Sequence, residues 1–337
     1  MTQPASNIDL DEEQAPPTSG SGNSLDPDEK FRALVRRLSE QSVVKHFDAY
    51  ADIDWDAPEM AIDRRDPRFE LGPDHPLGAT DWYRSLPQET RAGIGLQGIV
   101  SNMKAGLQFE SILKRGLLEY AFTLPDNSPE FRYAYHEVIE EAQHSLMFQE
   151  FVNRAGIPTR GLSWDMKLGA RQVITLARFF PELFFVFVLG GEDPIDHVQR
   201  QVLRNTEDLH PLLERIMRIH VTEEARHLSF ARQYLRTEVP RLSRWRRAVI
   251  AVGAPTILAV MASIMMRPPR HLIRAHAIPA EALAEAFGPT GPGPQGVRDS
   301  LRKVRALLAE LGLVTWYSKP LWVRFGIWDA RTKEASR

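Results

Sequence analysis

Cysteine is absent from the 337 residues. That excludes disulfides, a thiolate nucleophile, Cys-ligated zinc and Cys-ligated iron–sulfur clusters. Any metal must be held by His nitrogen and carboxylate oxygen. Net charge is nearly absent too: 42 basic against 44 acidic residues leave −2. No global field draws the chain to nucleic acid or to an anionic membrane surface. No segment sustains the period-two alternation of a half-buried strand. The first thirty residues, acidic and rich in Pro, Ser and Gly, lack an apolar core. Residues 1–30 therefore read as a disordered acidic tail, neither signal nor transit peptide, and the expected location is cytoplasmic.

What is present is helical periodicity. Asp26 and Pro27 form an N-cap and first-position pair ahead of one or two short helices reaching about Ile53. Residues 54–80 read as loop. A long helix is predicted over Gln88–Leu124, and a second from Pro129, capped by Ser128, to Ala155 with Gly156 as its stop. A third is predicted over Trp164–Leu189, kinked at Pro181, and a fourth over Asp193–Leu203. A fifth covers Pro211–Thr237, and an apolar helix covers Leu242–Met266. Short helices follow at Pro279–Phe287 and Val297–Gly312, separated by the loop "GPTGPGPQG", with an aromatic tail at the end. The expected fold is an all-α helical bundle: one domain over residues 31–337, its core at about 85–270 and C-terminal helices beyond.

Two of the helices carry the same phrase, "EEAQH" at 140–144 and "EEARH" at 223–227. On a helix, residues three apart lie on one face, one turn from each other, so one metal ion can be held by both. With 25 Glu and 10 His, about 0.7 Glu-x-x-His pairs arise by chance, so one pair means nothing. There are three. The pair Glu207/His210 serves as the control, because His210 precedes Pro211 at a helix start and reads as surface or cap. Glu141/His144 and Glu224/His227 lie mid-helix among apolar neighbours, where a charged group is costly unless paired or bound to metal. A solvated face beside a hydrophobic one is the blander reading of each. The second pair is extended by His220, which with Glu224 and His227 falls at about 0°, 40° and −20° on one narrow stripe. Glu137, Glu141 and His144 repeat that spacing with Glu in the first place. Glu140 and Glu223 lie about 100° off the stripes, either behind the ligands or exposed.

A carboxylate-bridged metal pair in a bundle takes one Glu from each of two helices and Glu-x-x-His from two more. Glu110, in "LQFESIL", and Glu192, ending the apolar run "FFPELFFVFVLGGE", precede the pairs by 31 and 32 residues. Pro194 follows Glu192 by two and predicts a bend there. Oxygen and imidazole donors without thiolate suit two iron ions, with manganese as the alternative.

The order Glu110, Glu141/His144, Glu192, His220/Glu224/His227 resembles the p-aminobenzoate N-oxygenase (AurF-type) family of non-haem di-iron oxygenases. That family has a ferritin-like core and an additional His one turn before its second Glu-x-x-His, the place of His220. The resemblance implies four Glu and three His as ligands, a homodimer, and oxidation of an aryl amine by O2. An external electron donor is implied as well, since no flavin or nicotinamide site is visible. Two alternatives remain at this stage: a di-iron desaturase or hydroxylase acting on an acyl chain, and a non-catalytic metal-binding ferritin-like protein.

Three other signals need a reading. Residues 248–266 carry no charge and are long enough to span a membrane, but arginines flank both ends. A buried bundle helix is favoured over membrane contact. "GIGLQG" at 93–98 matches a dinucleotide fingerprint yet lacks the strand before it, so close packing of helices is the better account. Tyr120, Tyr133, Tyr135 and the Phe-rich stretch 179–187 are assigned to ordinary core in preference to a substrate pocket.

Overall fold

The computed structural model describes residues 26–329. Of the tail expected over 1–30, residues 1–25 lie outside those described, and the first helix begins inside that stretch at Pro27. Among the described residues there is no strand. The fold is an all-α ferritin-like bundle with added C-terminal helices.

In chain order, α1 is Pro27–Val44, α2 Asp81–Ser85, α3 Gln88–Ala121, α4 Pro129–Ala155, α5 Trp164–Phe179, α6 Pro181–Asn205 and α7 Pro211–Glu238. Then come α8 Arg244–Met265, α9 Arg270–Ala275, α10 Ala280–Phe287, α11 Pro292–Ser300, α12 Arg302–Glu310 and α13 Lys319–Arg324. Two hairpins make the core. α3 packs along α4, and α6 along α7, each pair joined by a short connection that makes its helices antiparallel. α5 lies against α3 and α6, α1 against α4 and α7, and α8 against the far side of α6.

The local signals explain most boundaries. Ser128 Oγ accepts the Phe131 N–H at 3.1 Å, and α4 ends at Gly156 with φ +58°, a left-handed cap that glycine adopts without steric cost. Three expectations are corrected. Pro181 does not kink one helix; it separates α5 from α6. Phe180 before it is pushed to φ −146°, ψ 61°, because a residue preceding proline disfavours the helical region. Pro194, by contrast, neither ends nor divides α6. Residues 183–189 are all buried, and at about 1.5–3 kcal/mol per large apolar side chain their packing outweighs a local proline cost of about 3 kcal/mol. Finally, the "GPTGPGPQG" loop is helical from Pro292 onward, since proline at the first position is already set for a helix.

Gly95, within "GIGLQG", lies inside α3, where a Cβ would meet the Phe69 carbonyl oxygen at 1.8 Å. The close approach is real, although the neighbour is a short turn at Pro67–Phe69 and not another helix. α8 buries Ile250, Ala251, Ala254, Leu258 and Met261, while Trp245, Val249, Val252 and Val260 are exposed on its other side. Among the described residues it belongs to the one helical segment long and apolar enough to cross a membrane, and only part of it is buried. Tyr120 and Tyr133 are core, as assigned, whereas Tyr135 and Phe179 are exposed.

The buried apolar residues form three clusters, a small one around Tyr83, Ile94 and Leu272 and two larger ones. One gathers Phe109, Leu113, Phe184, Phe185, Phe230 and Tyr234; the other gathers Met103, Met147, Phe148, Phe151, Ile216 and Ile219. Glu110 on α3, Glu141 and His144 on α4, and His220, Glu224 and His227 on α7 fall where their helices pass from one of these two clusters to the other, while α6 contributes to the first of the two alone.

Candidate metal centre

All seven residues singled out in the sequence converge. Glu110 comes from α3, Glu141 and His144 from α4, Glu192 from α6, and His220, Glu224 and His227 from α7. Each is at most 4% exposed. Their ligand atoms fall into two adjoining groups, Glu110/His144/His220 and Glu141/Glu192/Glu224/His227, each with donors within 4.8 Å of one another.

Glu141 and Glu224 occupy the middle. Glu141 lies 3.3 Å from His144 Nδ1 and 2.9 Å from His227 Nδ1; Glu224 lies 3.5 Å and 3.4 Å from the same two nitrogens. His220 Nε2 approaches Glu224 at 3.6 Å and Glu110 at 3.9 Å.

The Glu that precedes each paired Glu turns out to have a defined place. His144 Nε2 meets Glu223 at 2.9 Å, and His227 Nε2 meets Glu140 at 2.7 Å. The contacts cross: the Glu on α7 serves the His on α4, and the reverse. Of the two places left open by sequence, Glu140 and Glu223 take the one behind the ligands. They are 3% and 0% exposed, so exposure is ruled out. The doubled Glu in both phrases was the signal for this role. Glu223 also accepts the Phe47 N–H at 3.2 Å, and Glu140 accepts Arg226 at 2.7 Å. Arg226 and Lys114 were not singled out. Lys114, one turn beyond Glu110, donates to the Glu141 carbonyl at 2.9 Å and to Ser145.

The arrangement fits metal ions on two grounds. A ring whose Nε2–H is donated to carboxylate turns a bare Nδ1 lone pair toward Glu141 and Glu224. Lone pair against carboxylate is repulsive unless a cation stands between them. Without metal a second proton is the only substitute; burial opposes it, but Glu141 and Glu223 raise the His144 pKa to about 10. Second, Glu110 Oε2, both oxygens of Glu192 and of Glu224, and His220 Nδ1 are buried with no hydrogen-bond partner. When all four ligand carboxylates are ionised they carry four negative charges, which two divalent cations would balance. Burial and the negative charges of Glu141 and Glu224 push Glu110 and Glu192 well above the usual carboxylate range. For Glu141, the hydrogen bonds from Glu110 and His144 override burial and hold it well below that range. Burial, helped by His144 and His227 and opposed by Glu224 and Glu141, takes His220 down to about 4, leaving it a neutral donor.

Glu137 holds the α4 place that corresponds to His220 on α7. It lies outside both donor groups, buried and without a partner, and burial pushes it up to about 8. The control pair behaves partly as expected. Glu207 is exposed and His210 is the residue that caps α7, but His210 is buried and not on the surface. It stacks on Phe69 at 4.6 Å and reaches the Ala61 carbonyl at 3.2 Å.

A cavity of about 380 Å³ reaches the cluster from one side, touching Glu110, Glu192 and His220 and walled by α3, α5, α6, α7 and α8. Phe187, from the stretch assigned to core, also faces it.

With this geometry in place, the likeness to known proteins is informative. The profile of the p-aminobenzoate N-oxygenase AurF family matches residues 28–312. Relatives include uncharacterised proteins of Mycobacterium tuberculosis and Mycobacterium bovis. Each is 40% identical over 295 residues, spanning 88% of this chain and 87% of the relative. No solved structure matches.

Proposed function

The chain belongs to the p-aminobenzoate N-oxygenase AurF family of di-iron oxygenases, and on that premise we propose that it oxidises the nitrogen of an organic amine with O2. Glu110, His144 and His220 would hold one iron and Glu192 and His227 the other, with Glu141 and Glu224 placed so that both ions could draw on them. Bound there, the metal pair supplies dioxygen activation and electron transfer to it. The observation that carries the reading is the convergence of seven buried donors, most of them unpartnered, at the inner end of a substrate-sized cavity.

The protein's own residues set the conditions. Glu140 and Glu223 fix the tautomer and ring orientation of His227 and His144, so that Nδ1 faces inward. His220 would add a second nitrogen donor to the group that contains Glu110 and His144. The apolar walls beside Glu110 and Glu192 keep water from the reacting atoms. Electrons come from a separate reductant, and the chain acts as a homodimer. A second reading, oxidation of an alkyl chain by the same centre, is favoured by the predominantly apolar lining of the cavity.

The test is metal content and oxygen incorporation. Purified protein should hold two irons per chain. After reduction it should consume O2 and place isotopically labelled oxygen on the nitrogen of an added aryl amine. Label on carbon supports the second reading. Iron at or near zero after anaerobic reconstitution sinks both.

A further inference from the structure

The substrate class can be narrowed from the cavity, an inference that rests on the oxygenase reading. The inner end of the cavity is formed by candidate metal ligands, Glu110 and Glu192 beside His220. Among the described residues, its polar lining elsewhere is limited to Asn102, Gln199 and Thr256, and no lysine or arginine lines it. A carboxylate drawn into the apolar part of the cavity would lose its water and meet no lysine or arginine among the described residues. A buried anion without a partner is among the costliest arrangements in a protein.

The walls point to hydrocarbon. Met103, Met166, Met217, Met261 and Met265 line the cavity, five of the nine methionines in the chain. Unbranched thioethers make a deformable wall that follows a flexible chain more readily than a rigid ring slot does.

The route in is apolar as well. Gly169 of α5 and Thr256 and Val260 of α8 both line the cavity and are exposed, so the opening lies between these two helices. α5 and α8 each pack on α6 and do not pack closely on each other. Outside that gap stand Trp164 and Leu168 on α5 and Val249 and Val252 on α8, all exposed.

We infer that the part of the substrate buried beside the metal cluster is neutral, and that it continues as hydrocarbon toward an opening between α5 and α8. A small aryl amine bearing a carboxylate is disfavoured, because among the described residues no lysine or arginine lines the cavity to receive it. The amine end lies toward Glu110, Glu192 and His220, and the apolar tail lies along the methionines.

A ligand series on one ring tests this: para-aminobenzoate, its methyl ester and its octyl ester. Binding to the protein after anaerobic reconstitution with iron, whatever iron it retains, is measured anaerobically by calorimetry. The methyl ester should bind more than tenfold tighter than the acid, and the octyl ester more than tenfold tighter again. The inference is overturned if the acid binds within tenfold of its methyl ester, if the octyl chain adds less than tenfold, or if none binds. Iron content and O2 consumption are read separately. A protein that holds two irons and consumes O2 but binds the acid as well as the ester defeats the substrate assignment alone. One that follows the predicted ligand order but holds no iron defeats the oxygenase reading and leaves the cavity assignment standing.

Discussion

Replacing Glu140 by Gln isolates the crossed carboxylate–histidine contact from the ligands themselves. Glu140 accepts His227 Nε2–H on one oxygen and Arg226 Nη2–H on the other, both at 2.7 Å. An amide of the same shape has one accepting oxygen, so one of the two donors is left facing an NH2 group. Losing a hydrogen bond to a charged group costs about 1.5–3 kcal/mol. Arg226 retains Glu223 at 3.6 Å, which keeps the loss below the roughly 3–5 kcal/mol of a broken buried pair. The melting temperature of metal-free protein should therefore fall by about 5 °C. Removing the partner that orients a metal-binding His lowers metal affinity about 10–100-fold, or about 1.4–2.8 kcal/mol. The pH dependence follows from the sign of the shift. Burial opposes ionisation of Glu140, but His227 and Arg226 outweigh it and hold the carboxyl at about 2, against an ordinary 4.5. Stability from the ionised group is complete above about 4.5 and lost as pH falls toward 2. The gap between variant and wild type should close over that window. The assays are chelator competition for Fe(II) or Mn(II), and thermal melts across pH. An E140Q protein with a lower melting temperature but unchanged metal affinity would show that Glu140 braces the bundle and does not aim His227, which refutes the argument.

Three further outcomes follow from the same geometry. Glu223→Gln should also lower metal affinity about tenfold through His144, but with a smaller stability loss than Glu140→Gln, because its second hydrogen-bond donor is the uncharged Phe47 N–H and Arg226 stands farther from it, at 3.6 Å, than from Glu140; parallel melts and competition curves compare the two. In metal-free protein, Glu137→Gln should be more stable than wild type at pH 8 and equal to it at pH 4. Burial holds the Glu137 proton up to about 8, and wild type alone loses stability as pH rises from 4.5 through that value. Equal melting temperatures at both pH values would contradict this. Gly191→Ala would place a Cβ 1.9 Å from the Phe109 ring, driving apart the neighbours of Glu192 and Glu110; a loss of about 1–3 kcal/mol and of iron is expected. Gly169→Ala, with open space around its Cα, is the control and should keep both.

The residues that proved legible in the sequence share a property: their spacing on a helix already says which face they occupy. Glu141/His144 and His220/Glu224/His227 could be placed because a three- or four-residue step fixes direction before any tertiary contact is known. Glu110 and Glu192 carried no such local signal and were found only by asking what a pair of metal ions lacks. The α4 boundaries could be read for the same reason, since Ser128, Pro129 and Gly156 act on the backbone within a turn. What stayed hidden depends on contacts between helices. Pro194 is helical because seven buried residues upstream anchor α6 among its neighbours, a cost balance that no local rule contains. Glu140 and Glu223 lie off their own helix's ligand stripe, and that is why they reach the histidine of the other helix. The doubled Glu-Glu therefore joins two steps: one residue points into the site, and the next, about 100° away, points at the partner helix. A substitution that shifted α4 against α7 by one turn would thus separate each histidine from its carboxylate and from the shared ligands at once. The repeat couples helix register to metal binding, which is why it appears on both helices and not on one.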